Sequence, residues 1–136
     1  MLEDFNSGAV GDLECNSYTD NSVSNIGGKS PEFVFGLGDY FYPSTGTCWF
    51  NKIMPVDSIT RISIGNHDDD NSEGCSSYMS HLGLSQTYYS YDYQNVHILV
   101  LVTDRNIYSL VSAQYNFAVD DLHTTLKNPN VNWIIK

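Results

Sequence analysis

Positive charge is scarce in this sequence. Six Lys and Arg face sixteen Asp and Glu, a formal net charge of −10 over 136 residues. A non-specific binder of nucleic acid or anionic membranes needs a basic patch. The scattered cations Lys29, Lys52, Arg61, Arg105, Lys127 and Lys136 do not make one. Long apolar runs are also missing. The longest covers residues 98–102, far short of the ~20 residues that cross a bilayer, so no membrane span is expected. The opening MLEDFNSGAV has neither a basic nor an apolar signal region, and no secretory leader is read there. Cys15, Cys48 and Cys75 are odd in number and far apart, with no Cys-x-x-Cys pair. That pattern suggests no disulfide framework and no zinc ribbon, and a reduced, cytoplasmic setting by default.

What is present is enough for a core. Hydrophobic residues make up 41% and charged residues 16%, unlike a disordered tail, and the length suits one domain. Apolar β-type runs alternate with helical patterns, which predicts an α/β layered fold. Strands are expected over 5–10, 33–37, 59–64, 88–93, 97–102 and 131–135, the fourth and fifth joined as a hairpin by Gln94-Asn95. Thr19 is read as the cap of a short helix carrying Val23 and Ile26 and closed by Gly27-Gly28. Ser112 caps a longer helix with Tyr115, Ala118, Leu122 and Leu126 on one face, stopped at Asn128-Pro129.

Three of the strands run into a Gly followed by a polar residue: Gly11-Asp12, Gly38-Asp39 and Gly65-Asn66-His67-Asp68. Glycine permits a sharp turn, and in open α/β sheets ligands bind at the carboxyl ends of strands. Asp12, Asp39, Tyr42 and Asn66 offer carboxylate, phenol and amide oxygens, which are donors for iron, manganese, zinc or magnesium. A carboxylate such as Asp39 can bridge two ions about 3.5–4 Å apart. For most of the other acids, solubility is a sufficient reason.

Asp12, then Gly38-Asp39-Tyr40-Phe41-Tyr42, then Gly65-Asn66-His67-Asp68 resembles the successive signature blocks of the calcineurin-like metallophosphoesterases. The tyrosine three places after the second aspartate is similar to the purple acid phosphatase branch. Tyr88-Tyr89-Ser90-Tyr91-Asp92, Asn95-Val96-His97, Gln114-Tyr115, Asp121-Leu122 and Trp133-Ile134-Ile135 extend the likeness to nearly the whole chain. The resemblance implies a β-sandwich flanked by helices and a phosphate-ester hydrolase holding two metal ions, iron with zinc, manganese or iron. It implies that Asp12 and Tyr42 bind the first metal, Asp39 bridges both and Asn66 binds the second. His67 would face the phosphate as a catalytic group, oriented by Asp68, and metal-activated water would attack a small phosphate ester in line.

Two departures from the family pattern bear on activity. The wider family has Asp-x-His at its first block and the purple acid branch Asp-x-Gly, whereas this chain has Asp12-Leu13-Glu14. Glu14 is open to two readings, a substitute metal ligand or a solvent-facing carboxylate. The family's last histidine blocks would fall beyond Lys136, so residues 1–136 are expected to form the N-terminal portion of one domain with an incomplete catalytic site. A non-catalytic remnant, or a module completed by a C-terminal segment or another copy, is the alternative. His81, His97 and His123 are expected to be structural or surface residues. Counted from Asp69, the acidic run 69–74 also matches the first half of an EF-hand, with Ser80 where the bidentate Glu belongs. Otherwise it reads as a solvated loop.

Overall fold

The computed structural model describes residues 5–40, 46–69, 72–103 and 112–136, and it is a mixed α/β arrangement. Its described residues form two small three-stranded sheets and five helices, in two compact units that meet in sequence between Ser85 and Gln86.

The first unit opens with β1 (Ser7–Val10), α1 (Ser17–Gly27) and β2 (Phe33–Gly36). It continues with α2 (Gly46–Ile53), one 3-10 turn (Asp57–Ile59), β3 (Thr60–Ile62), the single turn α3 (Asn66–Asp69) and α4 (Ser72–Leu82). The sheet order is β1-β2-β3, all parallel, with Ala9 opposite Phe35 and Phe35 opposite Arg61. A central parallel strand has little access to water on either face. Phe33, Val34 and Gly36 are accordingly buried. Ile62, Val23, Trp49 and Ile53 are among the other side chains of its apolar interior. Because both connections are helical crossovers, the carboxyl ends of the three strands share one edge.

The cap of α1 is Asn16, not Thr19. The Asn16 side chain accepts hydrogen bonds from Tyr18 N–H at 2.8 Å and Thr19 N–H at 3.2 Å, while the Thr19 hydroxyl donates back to the Glu14 carbonyl. Gly27 ends the helix as expected, and Gly28 N–H reaches the Ser24 carbonyl at 2.9 Å. Helix α4 corrects the calcium-loop reading of the acidic run. Residues 72–80, most of the supposed calcium loop, are helical, and an EF-hand loop cannot wrap a cation from a regular helix.

The cysteine reading also needs correction. Cys15 and Cys48 form a disulfide with their Cα atoms 6.0 Å apart at a sequence separation of 33; Cys75 is the free thiol. Closing a loop of that size stabilises a fold by roughly 3–4 kcal/mol on the chain-entropy account. Disulfides persist in oxidising surroundings, so the reducing setting inferred from unpaired cysteines loses its basis. No helix among the described residues is long and apolar enough to cross a membrane.

In the second unit β4 (Tyr89–Tyr93) and β5 (Val96–Val100) form the expected hairpin, α5 (Ala113–Thr125) follows, and β6 (Trp133–Ile135) pairs parallel with β5. Gln94 takes φ +51° in the two-residue turn, the left-handed geometry that tight hairpins require. Ser112 caps α5 through Tyr115 N–H at 3.1 Å. Gln114 pairs with both backbone groups of Val102 at 3.0 Å.

Beside the buried Val96, Ile98, Leu99 and Val102, this unit also buries a polar cluster. His97 is 5% exposed, with Nδ1 2.6 Å from Asp92 and Nε2 2.7 Å from Asp121, which also accepts from the Ser90 hydroxyl. Burial opposes charge on the imidazole. Its hydrogen bonds to Asp92 and Asp121, and their negative charges, outweigh that, and its pKa is raised. A neutral imidazole could donate to only one of the two carboxylates. The folded state therefore binds a proton more tightly than the unfolded chain. The stability this confers is complete below about pH 6.5 and is lost as pH rises through the folded pKa, with a slope of at most about 1.4 kcal/mol per pH unit. Urea unfolding at a series of pH values should show that decline in the wild type and not in His97→Gln. Parallel curves for the two proteins would refute it.

Candidate functional site

The strand-end loops of the first unit are laced together by their own backbones. Leu37 N–H donates to the Val10 carbonyl at 2.8 Å, Asp12 N–H to the Gly38 carbonyl at 3.1 Å, and Ser63 N–H to the Gly36 carbonyl at 2.8 Å. The loops carrying Asp12, Asp39 and Asn66 thus lie side by side along one sheet edge, as the three Gly-polar junctions predict. Asp12 and Asp39 take φ +54° and +59°, a left-handed conformation that costs a residue with a Cβ roughly 1–2 kcal/mol. Strain of this kind persists where surrounding bonds over-determine it.

At Asp39 those bonds come chiefly from Asp68. Its side chain is fully buried; Oδ2 accepts from Asp39 N–H and Gly65 N–H, each at 2.9 Å, and Oδ1 from Tyr40 N–H at 2.8 Å. One carboxylate therefore ties the loop after β2 to the loop after β3 and holds the peptide that presents Asp39. In return, Asp39 Oδ1 accepts His67 N–H at 3.1 Å. Gly38 at φ +94° and Gly65 are where the loops touch. A Cβ on Gly38 would lie 2.8 Å from Gly65 N, and one on Gly65 would lie 2.6 Å from Asp39 N.

Tyr40, next to Asp39, points inward. Its hydroxyl oxygen accepts Gly38 N–H at 2.8 Å, and its ring packs 4.6 Å from Trp49 and 5.6 Å from Tyr78. Burial, and then the charge of Asp68, raises the Tyr78 phenol pKa far above its ordinary value; the same two causes raise the Cys75 thiol. The buried anion thus sits among groups that stay protonated.

Asn66 and His67 are exposed on the first turn of α3, Asp12 is exposed as well, and Asp39 is half-buried. Tyr42 lies outside the described residues. Glu14 is exposed and its carboxylate accepts Asn16 Nδ2 at 3.1 Å, which serves the helix cap. An open cleft of about 400 Å³ beside Asp12 is bordered by Glu14 and Tyr18. Of the remaining histidines, His81 meets Asp57 at 2.9 Å and stacks on Phe50, and His97 is the buried group described above. Among the described residues, no three His, Cys, Asp or Glu side chains form a metal-binding group. The donors that share the edge are two carboxylates and an amide.

Sequence reasoning overlooked Tyr40 and the Asp92–His97 pair. The second was legible. With Gln94-Asn95 as a two-residue turn, positions 92 and 97 must face each other across the hairpin, and they do. No protein-family model and no curated protein matches the chain.

Proposed function

We propose that the edge bearing Asp12, Asp39, Asn66 and His67 is part of a dinuclear metal centre that hydrolyses phosphate esters, in a domain of the calcineurin-like metallophosphoesterase type, purple acid phosphatase-like branch. The observation that carries this reading is the paired left-handed aspartates, held side by side on the carboxyl edge of a parallel sheet. Proteins accept such strain mainly where a side chain must be aimed.

The donor set fits the group. Asp12 and Asp39 would hold hard cations by carboxylate oxygen and Asn66 by its amide oxygen, with Tyr42 as a further donor suited to ferric iron. Such a pair of cations supplies Lewis acidity and a water of lowered pKa. The chain's own contribution is placement. Asp68 fixes the Asp39 peptide, Asp39 anchors the amide of His67, and the exposed His67 imidazole serves the leaving oxygen of the ester as proton donor.

Calorimetric titration with Mn²⁺ and an aryl-phosphate assay test the reading. Binding should weaken at least tenfold in Asp39→Asn, since second-sphere changes alone cost about 10–100-fold. Equal affinity in both proteins would defeat it. Turnover that survives Asp39→Asn would defeat the hydrolytic part.

A further inference from the structure

We propose that the Cys15–Cys48 disulfide sets the position of Asp12 against Asp39, so that the redox state of this pair controls the site. Cys15 lies three residues after Asp12 in a stretch with little freedom. Glu14 N–H returns to the Asp12 carbonyl at 3.1 Å and Asn16 N–H to the Glu14 carbonyl at 3.0 Å. Asn16 then caps α1. Displacement of Cys15 is therefore passed back to Asp12 rather than absorbed between them.

The other arm is equally stiff. Cys48 is on α2 beside Trp49, which is 1% exposed and packs on Tyr40. Tyr40 follows Asp39, gives its N–H to Asp68, and accepts the N–H of Gly38 with its hydroxyl. The disulfide thus closes a circuit from Asp12 through Cys15, Cys48, Trp49 and Tyr40 to Asp39. It adds a covalent link to the backbone bonds between the two aspartate loops, Asp12 N–H to the Gly38 carbonyl and Leu37 N–H to the Val10 carbonyl.

Cys75 does not short-circuit the device. It sits on α4, half-buried, and a thiol that stays protonated attacks disulfides poorly. Reduction requires an external dithiol. The Sγ–Sγ bond breaks, two electrons and two protons pass to Cys15 and Cys48, and the dithiol closes to its own disulfide.

Amide hydrogen exchange on the 136-residue chain, oxidised and after dithiothreitol, tests the coupling without any metal. On reduction, exchange at Asp12, Glu14 and Asn16 should accelerate at least tenfold more than at the β2 amides, which lose only the protection that the lower global stability removes. No change at those three amides would overturn the proposal. So would equal loss of protection throughout β1, β2 and β3, which would make the bond a staple for the whole unit.

The ligand named for the site rests on the proposed function, and Mn²⁺ titration of the Cys15→Ser/Cys48→Ser pair separates the two. A 10–100-fold weaker affinity than the oxidised wild type, the range seen when supporting contacts of a metal site are lost, supports both. Unchanged affinity overturns the redox control. If neither protein binds Mn²⁺ while the exchange response is present, the metal reading fails and the control of Asp12 stands.

Discussion

Asp68→Asn is expected to be the most damaging single-atom change in the protein. The carboxylate has no exposure and accepts three backbone N–H groups from two loops. An amide keeps one acceptor oxygen and turns an NH₂ toward the remaining donor or donors. A buried donor left without a partner costs about 1–3 kcal/mol, and bonds to a charged acceptor are the stronger ones. A loss of about 2–5 kcal/mol follows, read as a lower urea midpoint at unchanged m. Asp39 would also be released from its left-handed backbone, so Mn²⁺ affinity should fall even where the variant remains folded. A shift below about 0.5 kcal/mol, the range typical of surface substitutions, would mean that Asp68 does not clamp the loops.

That clamp was beyond the reach of the sequence, although the edge it serves was not. Gly11, Gly38 and Gly65 each follow an apolar run, and a parallel sheet places every such junction on the same side. The alignment of Asp12, Asp39 and Asn66 along one edge could therefore be read from strand order alone. The Asp68 bonds could not, because two of their donors lie 29 and 28 residues away, and they exist only once two loops have closed on each other. All three bonds reach backbone.

The helices show the same division. Helix α5 was legible because Ser112 announces its cap, but its apolar spacing misplaced the buried face: Tyr115 and Leu126 are exposed, and Gln114 and Thr125 are buried. Helices α2 and α4 were missed, since α2 buries only Trp49 and Ile53 among its large side chains and α4 is rich in serine with little apolar periodicity. Both are held by tertiary contacts around Tyr40, Trp49 and Tyr78, whose rings meet at 4.6–5.6 Å. Their formation depends on packing more than on local propensity. The disulfide escaped for a related reason. Three cysteines allow several pairings, and only the approach of the β1–α1 loop to α2 selects Cys15 with Cys48.

Gly65→Ala isolates the geometry of the edge from its hydrogen bonding. The new methyl would stand 2.6 Å from Asp39 N and 2.8 Å from its carboxyl carbon, and would overlap Oδ1. Real Cβ atoms do not approach so closely, and the obstacle is in large part backbone, so Asp39 must move. Moving it strains the His67 N–H bond to Oδ1 and the Asp68 bond to its amide. Overpacking of this kind costs about 1–3 kcal/mol, and the larger effect is expected on the site. Mn²⁺ affinity should drop by at least the tenfold expected of Asp39→Asn, while all the oxygen donors remain in place. Gly27→Ala is the control. It lies at the end of α1, where a Cβ meets only Val56 at 3.7 Å, an ordinary contact, and should leave both stability and affinity nearly unchanged. If Gly65→Ala behaves like Gly27→Ala, the two loops are not in the contact that places Asp39, and the edge cannot aim its carboxylates as a metal centre requires.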